Sequence, residues 1–138
     1  MSLVLDSSVT LAWVYAAETT EAISGVFARV VESGAWVPAF WRLEIANVIE
    51  MGVRKGRSDA GFRDAALADL ALLPITVDLE TDRQAWGSTA KLAARHRLTL
   101  YDAACLELAR RRSLPLATLD NELRAAAAAE DVALLGRS

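Results

Sequence analysis

A chain of 138 residues, 54% apolar and 24% charged, is long enough to bury the core of one domain and too apolar to be intrinsically disordered. Its net charge of −3 excludes a histone-like or coat-like nucleic-acid binder, which needs a broad cationic surface, while leaving room for a local basic rim. One cysteine, Cys105, and one histidine, His96, exclude a disulfide framework, a thiolate-built zinc site and a two-histidine acid–base pair.

Met1 to Asp6 has no basic region and too short an apolar run for a signal peptide, and no apolar stretch nears the roughly 20 residues that span a bilayer. A soluble, cytoplasmic protein with no membrane partner is expected. Ser2 to Leu5 predicts a strand that stops at Asp6, followed by a helix over Ser7 to Tyr15. Ile23, Val26, Phe27, Val30 and Val31 place a second helix over Glu21 to Glu32, stopped by Gly34. A strand over Ala35 to Pro38 leads into a long helix from Phe40 to Val53, closed by Arg54-Lys55-Gly56-Arg57. Ser58 can cap the next helix, which runs to about Leu72 before Pro74 breaks it. Ile75 to Val77 predicts a third strand, and Glu80 to about Arg95 one helix. After the Leu98-Thr99-Leu100 turn come a helix over Tyr101 to Arg112, a strand over Leu114 to Thr118, an alanine-rich helix from Asn121 to about Glu130, and a last strand over Val132 to Leu135. Strands separated by helical stretches of ten or more residues require crossovers. The expectation is therefore an α/β domain spanning residues 1–138, with a mostly parallel central sheet flanked by helices.

In such sheets sites form just beyond the carboxyl ends of the strands, and acids recur at those junctions. Asp6 ends the first strand, Asp120 follows the strand ahead of Asn121, Asp102 opens the helix after the Leu98–Leu100 turn, and Glu44 lies in the helix after the second strand. Each has a structural reading. Asp6 and Asp120 can be helix N-caps, and Thr99-Leu100-Tyr101-Asp102 has capping-box spacing. Glu44, between Phe40, Val48 and Met51 on its helix, calls for a salt bridge to an arginine. The conjunction points elsewhere. Carboxylates converging on one sheet edge repel by roughly 3–4 kcal/mol per close pair, and a divalent cation offsets that repulsion. With one His and one Cys in the chain, the donor set is all oxygen, which favours Mg²⁺ or Mn²⁺ over zinc.

At these residues the sequence resembles the PIN-domain ribonucleases, specifically the VapC toxins of bacterial toxin–antitoxin pairs. The matching pieces are Val4-Leu5-Asp6-Ser7-Ser8-Val9, Glu44-Ile45-Ala46-Asn47-Val48, Leu98-Thr99-Leu100-Tyr101-Asp102-Ala103-Ala104 and Leu116-Ala117-Thr118-Leu119-Asp120. Their order and spacing agree over nearly the whole chain. The resemblance implies a three-layer α/β/α PIN-like domain in which Asp6, Glu44, Asp102 and Asp120 are the catalytic, metal-holding quartet. It places supporting hydroxyls at Ser7 or Ser8 and at Thr118. Cys105 stands where a tyrosine or other bulky residue is common. The implied reaction is Mg²⁺- or Mn²⁺-dependent endoribonuclease cleavage, in which an activated water attacks phosphorus and leaves 5′-phosphate and 3′-hydroxyl ends. The implied partners are an RNA substrate and a small VapB-type antitoxin that blocks the site.

RNA contact falls to the arginines, since 13 of the 15 basic residues are Arg and their forks match phosphate oxygens. Arg54, Lys55 and Arg57, with Arg95 and Arg97, form the candidate basic rim. Both stretches also read as solvated turns, and His96 between the latter two as a surface residue. Arg110-Arg111-Arg112 reads as dipole compensation at a helix C-terminus. Trp13, Trp36, Trp41 and Trp86 sit in apolar stretches and read as core or interface packing rather than base-stacking platforms. The apolar excess leaves surface for a homodimer and for the antitoxin. Three alternatives remain. A catalytically silent PIN scaffold would bind RNA or protein through the same fold. A HAD-type phosphatase needs an aspartate where Ser8 stands. A receiver-like domain needs an acceptor such as Asp78 at the end of a middle strand and a late lysine, whereas Lys91 is the last.

Overall fold

Apolar pairs and triplets at the predicted strand positions assemble one sheet in the computed structural model, which describes residues 1–137. The strands are β1 (Val4–Leu5), β2 (Ala35–Val37), β3 (Ile75–Val77), β4 (Leu116–Ala117) and β5 (Leu134–Leu135). Their order is β3-β2-β1-β4-β5, and every neighbouring pair is parallel. The chain steps outward from β1 to β2 and β3, then crosses back to lay β4 and β5 on the other side of β1. Connections therefore leave β1 and β4 in opposite directions, and the crevice beyond their carboxyl ends is where such sheets hold sites.

The helices are α1 (Ser7–Val14), α2 (Glu21–Ser33), α3 (Trp41–Arg54), α4 (Ala60–Leu70), α5 (Thr81–Gln84), α6 (Ala90–His96), α7 (Leu100–Arg112) and α8 (Asn121–Ala129). Side-chain alternation along the strands splits the interior into two layers. Leu3, Leu5 and Ala117 pack with Val9 of α1, Ile23, Val26 and Val30 of α2, and Trp41, Ile45 and Ile49 of α3. Val4 and Leu116 turn the other way, onto Leu92 of α6, Leu106 and Leu108 of α7, and Leu123 and Ala126 of α8. Fully burying each Leu, Ile or Val stabilises the fold by about 1.5–3 kcal/mol, so both layers hold the sheet. The result is a three-layer α/β/α domain. In α7 every residue from Ala103 to Ala109 is buried, which fixes the helix that carries Asp102. Gly34 closes α2 at φ 74°, and a Cβ there would meet the Pro74 carbonyl oxygen at 3.0 Å, so only glycine turns the chain into β2.

Several boundaries differ from the sequence expectation. The strands are shorter than the apolar runs, although the Leu3 and Pro115 carbonyls still accept from the Trp36 and Val4 amides at 2.8 Å each. The sheet is wholly parallel rather than mostly so. Asp59, not Ser58, caps α4, its Oδ1 accepting from the Phe62 amide at 2.8 Å. The helix expected over residues 80–95 breaks into α5, a π turn over Ala85–Thr89 and α6, because Gly87 adopts φ −109°, ψ −106°. That break leaves Trp86 95% exposed, so of the core or interface packing expected of it the core half fails. Trp41 is a core residue, and Trp13 donates to the Ile23 carbonyl at 3.0 Å and meets Phe27 edge-on. Trp36 is covered by the Arg112 guanidinium, 3.5 Å from its ring centre.

Candidate active site

Asp6 leaves β1 with an extended backbone ahead of α1, yet its side chain does not cap that helix. The carboxylate is turned inward and 5% exposed. Its Oδ2 accepts from the Ser8 hydroxyl at 2.7 Å and from the Thr118 hydroxyl at 2.8 Å. Those hydroxyls are themselves held: Ser8 Oγ accepts from the Leu119 amide at 2.9 Å, and Thr118 Oγ1 from the Asp120 amide at 3.1 Å. Two short hydrogen-bonded chains thus lock the end of β4 to the end of β1 through one carboxylate oxygen. Asp6 Oδ1 faces Cys105 Sγ at 3.8 Å, a thiol whose titration burial pushes well up, helped by the charges of Asp6, Glu44 and Asp102. Thr118→Val keeps the shape and removes the hydroxyl. It is expected to cost about 1–3 kcal/mol in urea unfolding while leaving far-UV circular dichroism unchanged, the loss of one hydrogen bond to a buried carboxylate.

The other three acids gather around this anchor. Asp120 is the N-cap of α8, its Oδ1 accepting from the Leu123 amide at 2.8 Å. The capping role read for it in the sequence is therefore real, and it occupies one oxygen. Asp102 lies in the first turn of α7, where its amide donates to Thr99 Oγ1 at 3.2 Å, one half of the expected capping box. Burial first, then the charges of Asp6, Asp120, Glu44 and Glu122, push its carboxyl up to about 6. Glu44, in the first turn of α3, is half-buried. Burial raises its carboxyl, the Ser7 hydroxyl beside it works the other way, and Asp6 raises it further. The acids from four elements thus feel one another's charge, Glu122 being a fifth that the sequence reading passed over. Its signal was its position one residue into α8.

What these acids lack is countercharge. Among the described residues the basic side chains pair with Glu18, Glu50, Asp64, Asp78, Glu80, Glu107 and Glu130, and none pairs with Asp6, Glu44, Asp102 or Asp120. The arginine bridge expected as Glu44's alternative does not form. No three acid, histidine or cysteine side chains among the described residues close into a ready-made ligand cluster. One oxygen each of Asp6 and Asp120 is committed to hydrogen bonds. The four acids offer only carboxylate oxygens and have no basic partners among the described residues. That set suits a hard divalent cation, which takes oxygen ligands and supplies the missing charge.

The basic rim is more dispersed than the sequence suggests. Arg54 pairs with Glu50 at 3.3 Å, and Arg57 with Glu18 at 3.4 Å while covering the Tyr15 ring. With Lys55 they end α3, about 15 Å along the axis from Glu44 at 1.5 Å per residue. Arg95 pairs with Glu130 at 2.9 Å. Arg97 is exposed in a left-handed conformation (φ 56°) just ahead of the α7 turn. His96 is not a free surface residue: its Nε2 lies 2.6 Å from Glu130 Oε2. Two arginines beside the site were not singled out by the sequence. Arg124 donates to the Thr118 and Leu135 carbonyls at 2.7 and 3.0 Å, and Arg137 to the Leu119 carbonyl at 2.7 Å. Both therefore put positive charge at the β4–α8 junction. Asp78, the receiver-like acceptor, ends the edge strand β3 and is gripped by Arg111 at 2.6 Å, so it is neither central nor available.

Among curated proteins none matches the chain. Solved structures that share its fold include these two. PAE2754 from Pyrobaculum aerophilum superposes with a TM-score of 0.67 at 20% identity, covering 91% of this chain and 84% of that one. FitAcB from Neisseria gonorrhoeae gives 0.66 at 17% identity, covering 97% and 96%. The family model of the PIN domain matches residues 3–129, a span that contains all four acids and the switch point between β1 and β4. By that match the chain belongs to the PIN-domain family, whose members are generally nucleases.

Proposed function

We propose that this protein is a metal-dependent endoribonuclease of the VapC type, with Asp6, Glu44, Asp102 and Asp120 holding Mg²⁺ or Mn²⁺. The reading rests on one observation: four acids gathered beyond β1 and β4 have no basic partner among the described residues. A bound divalent cation would activate water and offset the charge that develops at phosphorus. The chain itself supplies position. Thr118 and Ser8 orient Asp6, the α7 turn sets Asp102, and the first turn of α8 sets Asp120. Arg97, Arg124 and Arg137 supply positive charge near the acids for the RNA backbone, with Arg54, Lys55, Arg57 and Arg95 farther out. Partners in this reading are RNA, a second copy of the chain and a small VapB-type antitoxin, all in the cytoplasm.

Purified protein is expected to cut RNA in Mg²⁺ or Mn²⁺, leaving 5′-phosphate ends, and to stop in EDTA. Asp6→Asn is expected to lower the rate at least 1,000-fold, since it removes the negative charge and turns one of the two carboxylate oxygens into an amide nitrogen that cannot hold a cation. Full-rate cutting in EDTA would overturn the proposal. The alternative of a catalytically silent scaffold draws on the open arrangement of the acids. RNA binding with no cleavage in either metal would favour it.

A further inference from the structure

Two arginines at the β4–α8 junction are held in place without a carboxylate. Arg124 of α8 donates through Nη1 to the Thr118 and Leu135 carbonyls at 2.7 and 3.0 Å. Arg137 donates to the Leu119 carbonyl at 2.7 Å and to Asn121 Oδ1. Such neutral acceptors fix where a guanidinium sits and leave its charge whole. No acid among the described residues pairs with either arginine. Nε and Nη2 of Arg124 and Nε of Arg137 make no hydrogen bond among those residues. Burial, and then the charge of Arg137, lowers the Arg124 titration, so the two cations stand within reach of each other. Like charges brought together and left uncompensated are unfavourable, and a bound anion offsets that repulsion.

The backbone is shaped to bring them there. Gly136 turns the segment after β5 at φ 104°, where a Cβ would meet the Thr118 carbonyl oxygen at 3.3 Å. That turn carries Arg137 back to the end of β4. Thr118 then ties the pair to the acids, its hydroxyl donating to Asp6 at 2.8 Å while its carbonyl accepts from Arg124 at 2.7 Å. Arg124 also lies one turn into α8 from the cap Asp120, about 6 Å along the axis. The spacing between arginines and acids is thus set by a strand end and one helical turn. We propose that Arg124 and Arg137 form a phosphate clamp that grips the RNA backbone beside the acids, one phosphate contact each. This deepens the proposed function by giving the strand its path, and it rests on that reading for what happens at the acids. Guanidinium forks match phosphate oxygens. The other route, along α3, meets Arg54 and Arg57, whose charges Glu50 and Glu18 already match. The strand therefore leaves the acids over the β4–α8 junction.

Fluorescence anisotropy of a labelled single-stranded RNA, in EDTA so that nothing is cut, reads the clamp as a salt dependence. Each phosphate contact to a single strand contributes a slope of about −0.7 in log affinity against log salt. Arg137→Ala is expected to make the slope shallower by about 0.7 and to weaken binding about 5-fold at about 0.1 M salt. Adding Arg124→Ala is expected to double the change in slope. Arg29→Ala, beside Met1 at the other edge of the sheet, should leave the slope unchanged. Arg137 is exposed, so its variant carries the test even where loss of Arg124 weakens the fold. A wild type that does not bind the RNA, or a slope unchanged in Arg137→Ala, would overturn the proposal and leave the arginines as staples between β4 and β5. A slope that falls as expected in a protein that never cuts RNA in Mn²⁺ would keep the clamp and overturn the nuclease reading instead.

Discussion

Asp102→Asn is expected to abolish RNA cleavage and, in EDTA at pH 7.5, to raise the melting temperature by about 3–5 °C. The two effects have one cause. The Asp102 carboxyl titrates near 6 in the folded protein against 3.8 in an unperturbed chain, first through burial and then through Asp6, Asp120 and Glu44. Between about pH 4 and pH 6 the folded state therefore binds the proton more tightly than the unfolded state. This group's favourable contribution is complete at low pH, declines as pH rises through that window, and above it leaves the folded state carrying the repulsion. A shift of about two units corresponds nominally to about 3 kcal/mol, and solvent reaching this half-exposed group screens it to about 1 kcal/mol. Asparagine keeps the shape without the charge. Mn²⁺ relieves the same repulsion in the wild type, so its melting temperature should rise with Mn²⁺ and that of the variant should rise much less. Differential scanning calorimetry of both proteins in EDTA and in Mn²⁺ checks this. An Asp102→Asn protein no more stable than wild type in EDTA would mean that neither burial nor the neighbouring acids load Asp102.

The parts of this molecule that were legible in its sequence are those fixed by neighbours in the chain. Val4-Leu5-Asp6 reads as a strand ending in an acid because burial and the end of the ladder are both local. Gly34 and Pro74 read as stops for the same reason. The order of acids along the chain pointed to a shared crevice because parallel α/β topology sends every strand's carboxyl end to one edge. Other features depend on contacts distant in sequence and left no local trace. Periodicity places Trp86 inside a helix, and the backbone of Gly87 removes it to solvent. His96 reads as a surface turn until Glu130, 34 residues later, is found 2.6 Å away. Ser58 and Asp59 are both capping residue types, and only the path of the chain into α4 selects the second. Arg124 looks like any polar residue of an alanine-rich helix until β4 and β5 present it with two carbonyls.

Arg111 is the largest departure from a local reading, and its removal should have the largest effect on stability. At the end of α7 it reads as one of three dipole-compensating arginines, yet its guanidinium joins three acids from two parts of the chain. It grips Asp78 at 2.6 and 3.1 Å, Glu107 at 2.8 and 3.0 Å, and Glu80 at 3.3 Å. Asp78 is 1% exposed and Glu107 6%. Burial by itself would raise the Asp78 carboxyl, and the hydrogen bonds and charge of Arg111 outweigh it, so the carboxyl sits below its usual range. That contribution is present above about pH 4 and is lost as pH falls through the lowered value. Arg111→Met fills the space and withdraws the only cation that Asp78 and Glu107 touch among the described residues. Two buried carboxylates are left uncompensated, which costs about 3–5 kcal/mol, a large share of the roughly 5–15 kcal/mol that holds a domain of this size. Urea unfolding at pH 7.5 is expected to give that loss, and unfolding at pH 4 a smaller one, since the stranded acids can then take up protons. Adding Asp78→Asn and Glu107→Gln to Arg111→Met should recover much of the stability, because replacing every member of a buried ionic group costs less than orphaning some of them. A loss below about 1 kcal/mol in the single variant would mean that solvent already reaches Asp78 and Glu107, and that α7 is joined to the β3–α5 segment by packing alone.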